Sequence, residues 1–247
     1  MLIGECTMTG FKRALGRTKT LIIPFGTIEA HGTHLPLNTD TFIIREAVKK
    51  AADKAGVFMA PPVQYGVCTS TGQHPGTVGI TPPTLRLLAL DIVRDAYTKG
   101  LRNFILISGH GGGSHMQALK DAGETLAIEL KGAKVAVACL YEILPKKVFD
   151  IIETEGDSHA GELETSLMLH LAPRLVKGRA KEEYPRFTRP VIAADKVKCW
   201  PGAVWGNPAR AAAEKGELVF AMMVDEIAAL ARRMEKGKKT RQPCLPE

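Results

Sequence analysis

The chain has 247 residues, 45% of them apolar and 24% charged, a composition that suits a folded globular protein and excludes a disordered or membrane-embedded class. The formal charge is +7, yet residues 231–247 carry Arg232, Arg233, Lys236, Lys238, Lys239 and Arg241 against Glu235 and Glu247, so four of the seven net charges lie in one terminal stretch. Such a tail reads as a solvated end, and without interleaved aromatics it gives no footprint for nucleic acid as a partner.

No stretch approaches the roughly 18 consecutive apolar residues of a spanning helix, and the start MLIGECTMTGFKR lacks a basic segment followed by an apolar one. A cytoplasmic protein with no membrane partner is expected. Five cysteines (Cys6, Cys68, Cys139, Cys199, Cys244) are odd in number, dispersed and free of any CxxC pair, which suits reduced thiols. This length buries a core without disulfides, and a single domain over 1–247 is expected.

In chain order, strand-length apolar runs alternate with amphipathic runs of helical length. TLIIPF (20–25) reads as a buried strand, 41–55 as a helix, VFMAPPV (57–63) as a strand and 83–99 as a helix. FILIS (104–108), a helix over 114–131 and AKVAVACLY (133–141) continue the pattern. A short helix near 161–171, a polar, Pro-bearing stretch 173–207 and an Ala-rich helix 208–236 complete the chain. The alternation predicts an α/β fold with a mainly parallel central sheet covered by helices on both faces.

Open α/β sheets bind ligands beyond the carboxyl ends of their strands, and the polar clusters fall there. GTIEAHGTHLPLNTD (26–40) follows the first strand and supplies Glu29, His31, His34 and Asp40; SGHGGG (108–113) follows the third and supplies His110 beside Gly111 and Gly112. A third cluster, DSHAGELETS (157–166), leads into a helix with His159, Glu162 and Glu164. Glu29 and His31 are two apart, so an extended segment points them the same way. Imidazoles and carboxylates in this mix suit Zn, Mn or Fe, and an Asp bridges two ions through its two oxygens. Asp40 also stands where a side chain can cap the following helix.

Four segments, PFGTIEAHGTHLPLNTD, HPGTVGITPPTL, ISGHGGG and HAGELETSLML, resemble in this order the motifs of the creatininase family of metal-dependent amidohydrolases. The similarity runs over about residues 20–171, and NPARAAAEKGE (207–217) resembles a further family segment. The resemblance implies a three-layer α/β/α sandwich, two divalent metal ions per chain (Zn, Mn or Fe), hydrolysis of an amide-type C–N bond in a small molecule or peptide, and a homo-oligomer, often a hexamer. It implies that Glu29 and His110 hold one ion and His31 the other, that Asp40 bridges both, and that His159 transfers a proton, a role Glu162 could share. Creatininase itself uses a Glu two residues after the His of its GH motif, where this chain has Gly112; Glu164 is the replacement expected here.

Creatininase also carries a tryptophan just before its HAG element, where this chain reads ETEGDS (153–158); Trp200 and Trp205 lie far downstream. Creatinine is on that ground a less expected substrate than a formamidopyrimidine nucleotide or a mycofactocin precursor peptide, both cleaved within the family. A non-catalytic small-molecule binding protein is the alternative from another class. His34, His74, Gly111 and Gly112 are expected to contact substrate, His115 to be a local cap or exposed, and 173–207, with Arg186, Arg189 and Lys196, to cover the site.

Overall fold

The computed structural model describes residues 1–188 and 190–236. Arg189 and the tail residues Lys238, Lys239, Arg241 and Cys244 lie outside the described residues. Four strands, β1 (Thr20–Phe25), β2 (Phe58–Met59), β3 (Asn103–Ser108) and β4 (Lys134–Cys139), form one parallel sheet in the order β2-β1-β3-β4. β1 and β3 are buried along their whole length, which is why they read as unbroken apolar runs. β2 is shorter than its apolar run because Pro61 and Pro62 have no N–H to offer a ladder, and Val63 rejoins β1 only by an isolated bridge to Phe25.

Among the described residues seven α-helices surround the sheet: α1 (Met8–Ala14), α2 (Thr39–Ala55), α3 (Pro82–Thr98), α4 (Gly113–Glu129), α5 (Glu162–Leu171), α6 (Lys196–Cys199) and α7 (Ala213–Glu235). Side-chain alternation along the strands divides the core. Ile22, Ile105 and Ile107 pack with α2, α5 and α7 on one face, while Leu21, Ile23, Phe25, Phe104 and Leu106 pack with α1, α3 and α4 on the other. The result is the three-layer α/β/α arrangement. α1 was not anticipated; its signal is Thr7, whose side chain caps the helix by accepting from Gly10 N. α7 begins at residue 213 rather than 208, because Pro208–Arg210 form a separate 3-10 turn.

The topology decides where a site can form. The chain leaves β1 through α2 toward β2 on one side, then crosses to β3 on the other, so the connections diverge between β1 and β3. Register Thr20↔Asn103 through Phe25↔Ser108 ends both strands level. The loops that start at Gly26 and Gly109 therefore leave side by side. A Cβ on Gly109 would lie 2.4 Å from the carbonyl oxygen of Asp40, so only glycine lets the end of β3 approach the first turn of α2 this closely. No helix among the described residues is long and apolar enough to cross a membrane.

Candidate metal centre and active site

Five buried side chains meet at this strand edge: Glu29, His31, Asp40, His110 and Glu164. Asp40, second residue of α2, does not cap its helix; its two oxygens serve two neighbours. Oδ1 lies 3.1 Å from His31 Nε2, and Oδ2 lies 3.2 Å from His110 Nδ1 while accepting from Thr27 Oγ1 at 2.5 Å. His31 Nε2 is also 3.7 Å from Glu164 Oε2, and His110 Nδ1 is 2.8 Å from Glu29 Oε2. Asp40 thus joins a Glu29–His110 half to a His31–Glu164 half.

Each imidazole is oriented by its other nitrogen. His31 Nδ1 donates to the carbonyl of Glu29 at 2.9 Å, and His110 Nε2 to the carbonyl of Val67 at 3.2 Å. Those bonds leave Nε2 of His31 and Nδ1 of His110 facing carboxylates, the arrangement of metal-ligating histidines. Burial opposes charge on Glu29, His31, Asp40 and His110, and mutual attraction overrides it. His110 holds Glu29 at a pKa of about 2 against the burial penalty, and Asp40 raises His31 to about 10 against the same penalty. Asp40 is likewise depressed by His31, and His110 raised by Glu29, in both cases against burial. Cations are therefore required between these groups, and either protons or metal ions meet that need. Glu29 Oε2, although 2.8 Å from His110 Nδ1, accepts no well-aligned hydrogen bond while Glu29 is only 2% exposed, so it has a lone pair to offer an ion at that point.

Glu164 is supplied from a different region. Its Oε2 accepts from Ala160 N at 2.6 Å and its Oε1 from the hydroxyl of Tyr141 at 2.8 Å. Ala160 adopts φ 49°, a strained conformation for a residue with a Cβ, between the isolated bridge at His159 and α5. His159 stacks on His31 with ring centroids 4.2 Å apart, and its Nε2 donates to the carbonyl of Ala30 at 2.9 Å. Burial, then the nearby His31, lowers the pKa of His159.

The cluster opens into a cavity of about 840 Å³. Glu29, Asp40, His110, His159 and Glu164 form its polar end; Tyr141, Leu144, Val148, Phe149, Ile152, Trp200 and Trp205 give it apolar walls; Gly111, Gly112 and Gly113 border it at the start of α4.

The family profile described as creatinine amidohydrolase matches residues 4–231. The chain belongs to the creatininase family. A mycofactocin precursor peptide peptidase of Mycobacterium ulcerans is 33% identical over 96% of this chain and 94% of its own length. The creatinine amidohydrolase of Pseudomonas putida is 30% identical over 92% of this chain and 95% of its own. A crystal structure of creatinine amidohydrolase superposes with a TM-score of 0.83 at 26% identity, covering 96% of this chain and 98% of that one. Two further creatininase structures, described as Zn-Zn type and Mn, each give a TM-score of 0.81 at 26% identity over 94% of this chain and 97% of theirs. Like these relatives, the chain is a hydrolase acting on carbon–nitrogen bonds.

Within this creatininase fold, several expected residues stand elsewhere than the motifs suggested. Glu162 is no cavity residue: its Oε2 accepts from the backbone of Glu153 and Thr154 and from Thr154 Oγ1, and its Oε1 pairs with Lys215 at 2.5 Å. Two positions along a helix is a rotation of about 200°, so Glu162 and Glu164 leave α5 on opposite sides. His34 and His74 are buried off the cavity wall; His34 bonds Thr165 Oγ1 at 2.8 Å and so ties its loop to α5, while His74 bonds the carbonyl of Trp200 at 2.6 Å and so joins two loops. His115 is fully buried rather than a cap or exposed, accepting from Val67 N at 3.2 Å, and burial then His110 lower its pKa to about 3.

Gly112 carries a constraint as well. A Cβ there would lie 2.3 Å from His110 Nε2, so this loop conformation leaves no room for the Glu that creatininase has. The segment 173–207 does reach the cavity, but through Trp200 and Trp205 rather than through Arg186 or Lys196. Trp205 pairs with His159 as an isolated antiparallel bridge, and Trp200 packs edge-on to the His159 ring at 5.3 Å. The tryptophan argument against creatinine therefore falls. Sequence reasoning also missed Thr71, which donates to Glu29 Oε1, and Tyr141; single hydroxyls in unremarkable contexts carry no local signal.

Proposed function

We propose that the protein hydrolyses a peptide-type amide, and that Glu29 and His110 would hold one divalent ion, Zn or Mn, and His31 and Glu164 a second, with Asp40 placed to serve both. The carrying observation is the division of Asp40's two oxygens between two imidazoles whose remaining nitrogens are tied to backbone carbonyls. When bound, the ions supply a nucleophile from water near neutral pH and polarise the scissile carbonyl.

The chain's own residues do the rest. Nε2 of His159, spent on Ala30, leaves Nδ1 to take a proton and pass it to the departing nitrogen, and its lowered pKa keeps the ring neutral and able to accept. Tyr141 and Ala160 N fix the Glu164 carboxylate. Gly111 and Gly112, at the N-terminus of the 17-residue α4, offer backbone N–H groups and a favourable dipole to a developing negative charge. The aromatic and aliphatic walls suit apolar side chains flanking an amide, which favours a peptide over a formamidopyrimidine nucleotide, and the similarity to mycofactocin precursor peptide peptidases supports the same choice.

Assembly into a homo-oligomer, a hexamer in this reading, would cover Phe149, which is 77% exposed at the cavity rim. Metal content per chain by elemental analysis, beside hydrolysis of peptides, cyclic amides and formamides, tests the proposal. Two ions per chain, one after Glu164→Ala, and activity on peptides are expected; a folded chain that takes up neither Zn nor Mn would overturn it.

A further inference from the structure

We propose that Cys68 is an additional ligand of the ion held by Glu29 and His110, which gives that half of the centre a sulfur donor and a preference for Zn or Co over Mn. This rests on the binuclear reading above. The Cys68 sulfur, a Glu29 carboxylate oxygen and a His110 ring nitrogen lie within 4.8 Å of one another, and all three residues are buried. Ligands at about 2.0–2.3 Å from one tetrahedral ion stand roughly 3–4 Å apart, so only a small adjustment brings the three onto a common ion.

Two further observations point the same way. Glu29 Oε2, in the same cluster, is buried and 2.8 Å from His110 Nδ1 but accepts no well-aligned hydrogen bond. The backbone beside Cys68 is clamped by the histidines of the site: Val67 O accepts from His110 Nε2 at 3.2 Å, and Val67 N donates to His115 Nδ1 at 3.2 Å. The bond that orients a metal-facing histidine thus also fixes the residue before the cysteine.

A buried cysteine commonly acts as a small apolar side chain; Cys139 belongs to the apolar cluster shared with α3 and α4 and, though it borders the cavity, meets among the described residues no His and carboxylate pair that could hold an ion with it. Cys68 belongs to neither apolar core cluster of the described residues. On ligation its thiol releases a proton to solvent and binds as thiolate, a soft donor that favours Zn and Co over Mn.

The test uses the full chain, stripped by chelation and reloaded with Co(II), with cobalt counted by elemental analysis and the absorption spectrum recorded. A sulfur-to-cobalt charge-transfer band in the near ultraviolet is expected in wild type and in Cys139→Ser, and its loss in Cys68→Ser, or in Cys68→Ala should the serine variant not fold. Cobalt-loaded wild type without the band, or an unchanged band in the Cys68 variants, would overturn the sulfur ligand while leaving the binuclear reading intact. A folded wild-type chain that binds no cobalt, Zn or Mn would overturn both.

Discussion

The Glu29–His110 half of the cluster hangs from the ends of β1 and β3, two adjacent strands in fixed register, whereas the His31–Glu164 half needs a carboxylate brought in by α5 from a distant part of the chain. The first half is set by sheet geometry and by glycine at 109, where a side chain would strike Asp40. The second depends on the strained Ala160, on Asp157 accepting from Glu162 N and Leu163 N to start α5, and on Tyr141 at the end of β4. Strand ends are robust scaffolds for ligands, and a helix that must dock before it can contribute is the more easily disturbed.

Asp40 is the shared element, so its loss has the largest effect. Asp40→Ala should abolish activity and remove both ions together, as read by elemental analysis; retention of either ion would break the equivalence of the two halves through Asp40. Next in size, His159→Gln should lower kcat by roughly 10²- to 10⁴-fold, the range of a lost proton-transfer group, with metal content unchanged. A simultaneous loss of metal would make His159 a ligand instead.

Smaller again is the effect that separates two carboxylates of α5. Glu162→Ala strands the backbone N–H groups of Glu153 and Thr154 and the Lys215 ammonium, and should cost about 1–3 kcal/mol of stability in denaturant titrations. Its metal content should stay that of wild type. Reduced metal binding would show that Glu162 acts on the site after all.

A further effect, read without metal, concerns pH. His31 is raised from 6.5 to about 10, so its contribution to stability is full below about pH 6.5 and is lost as pH rises through about 10. Glu29 is held at about 2 instead of 4.5, so its contribution is full above about pH 4.5 and is lost as pH falls through about 2. Denaturation of chelated protein at stepped pH should therefore show the His31 contribution fading only on the alkaline side, above about pH 6.5, and the Glu29 contribution only on the acid side, below about pH 4.5, where the buried neutral His115 adds to the acid loss. Loading the ions, which displace the proton between His31 and Asp40, should remove the alkaline decline; a decline unchanged by metal would separate His31 from the centre.

Local sequence determined a good deal. The buried runs TLIIPF and FILIS announced two central strands, because a parallel strand covered on both faces has no polar side to show, while their pairing came from the fold. The polar residues after them, Glu29, His31, Asp40 and His110, were legible as a cluster because strand ends and short loops keep them within a few residues of the sheet edge. The tertiary structure alone decided what distance along the chain conceals. It turned Glu164 toward His31 and Glu162 away, which depends on how α5 docks. It carried Trp200 and Trp205 to the wall beside His159, and set Cys68 beside Glu29 through a loop held by His110 and His115. Such contacts arise only when separate segments close on one another, and no spacing within a single segment records them.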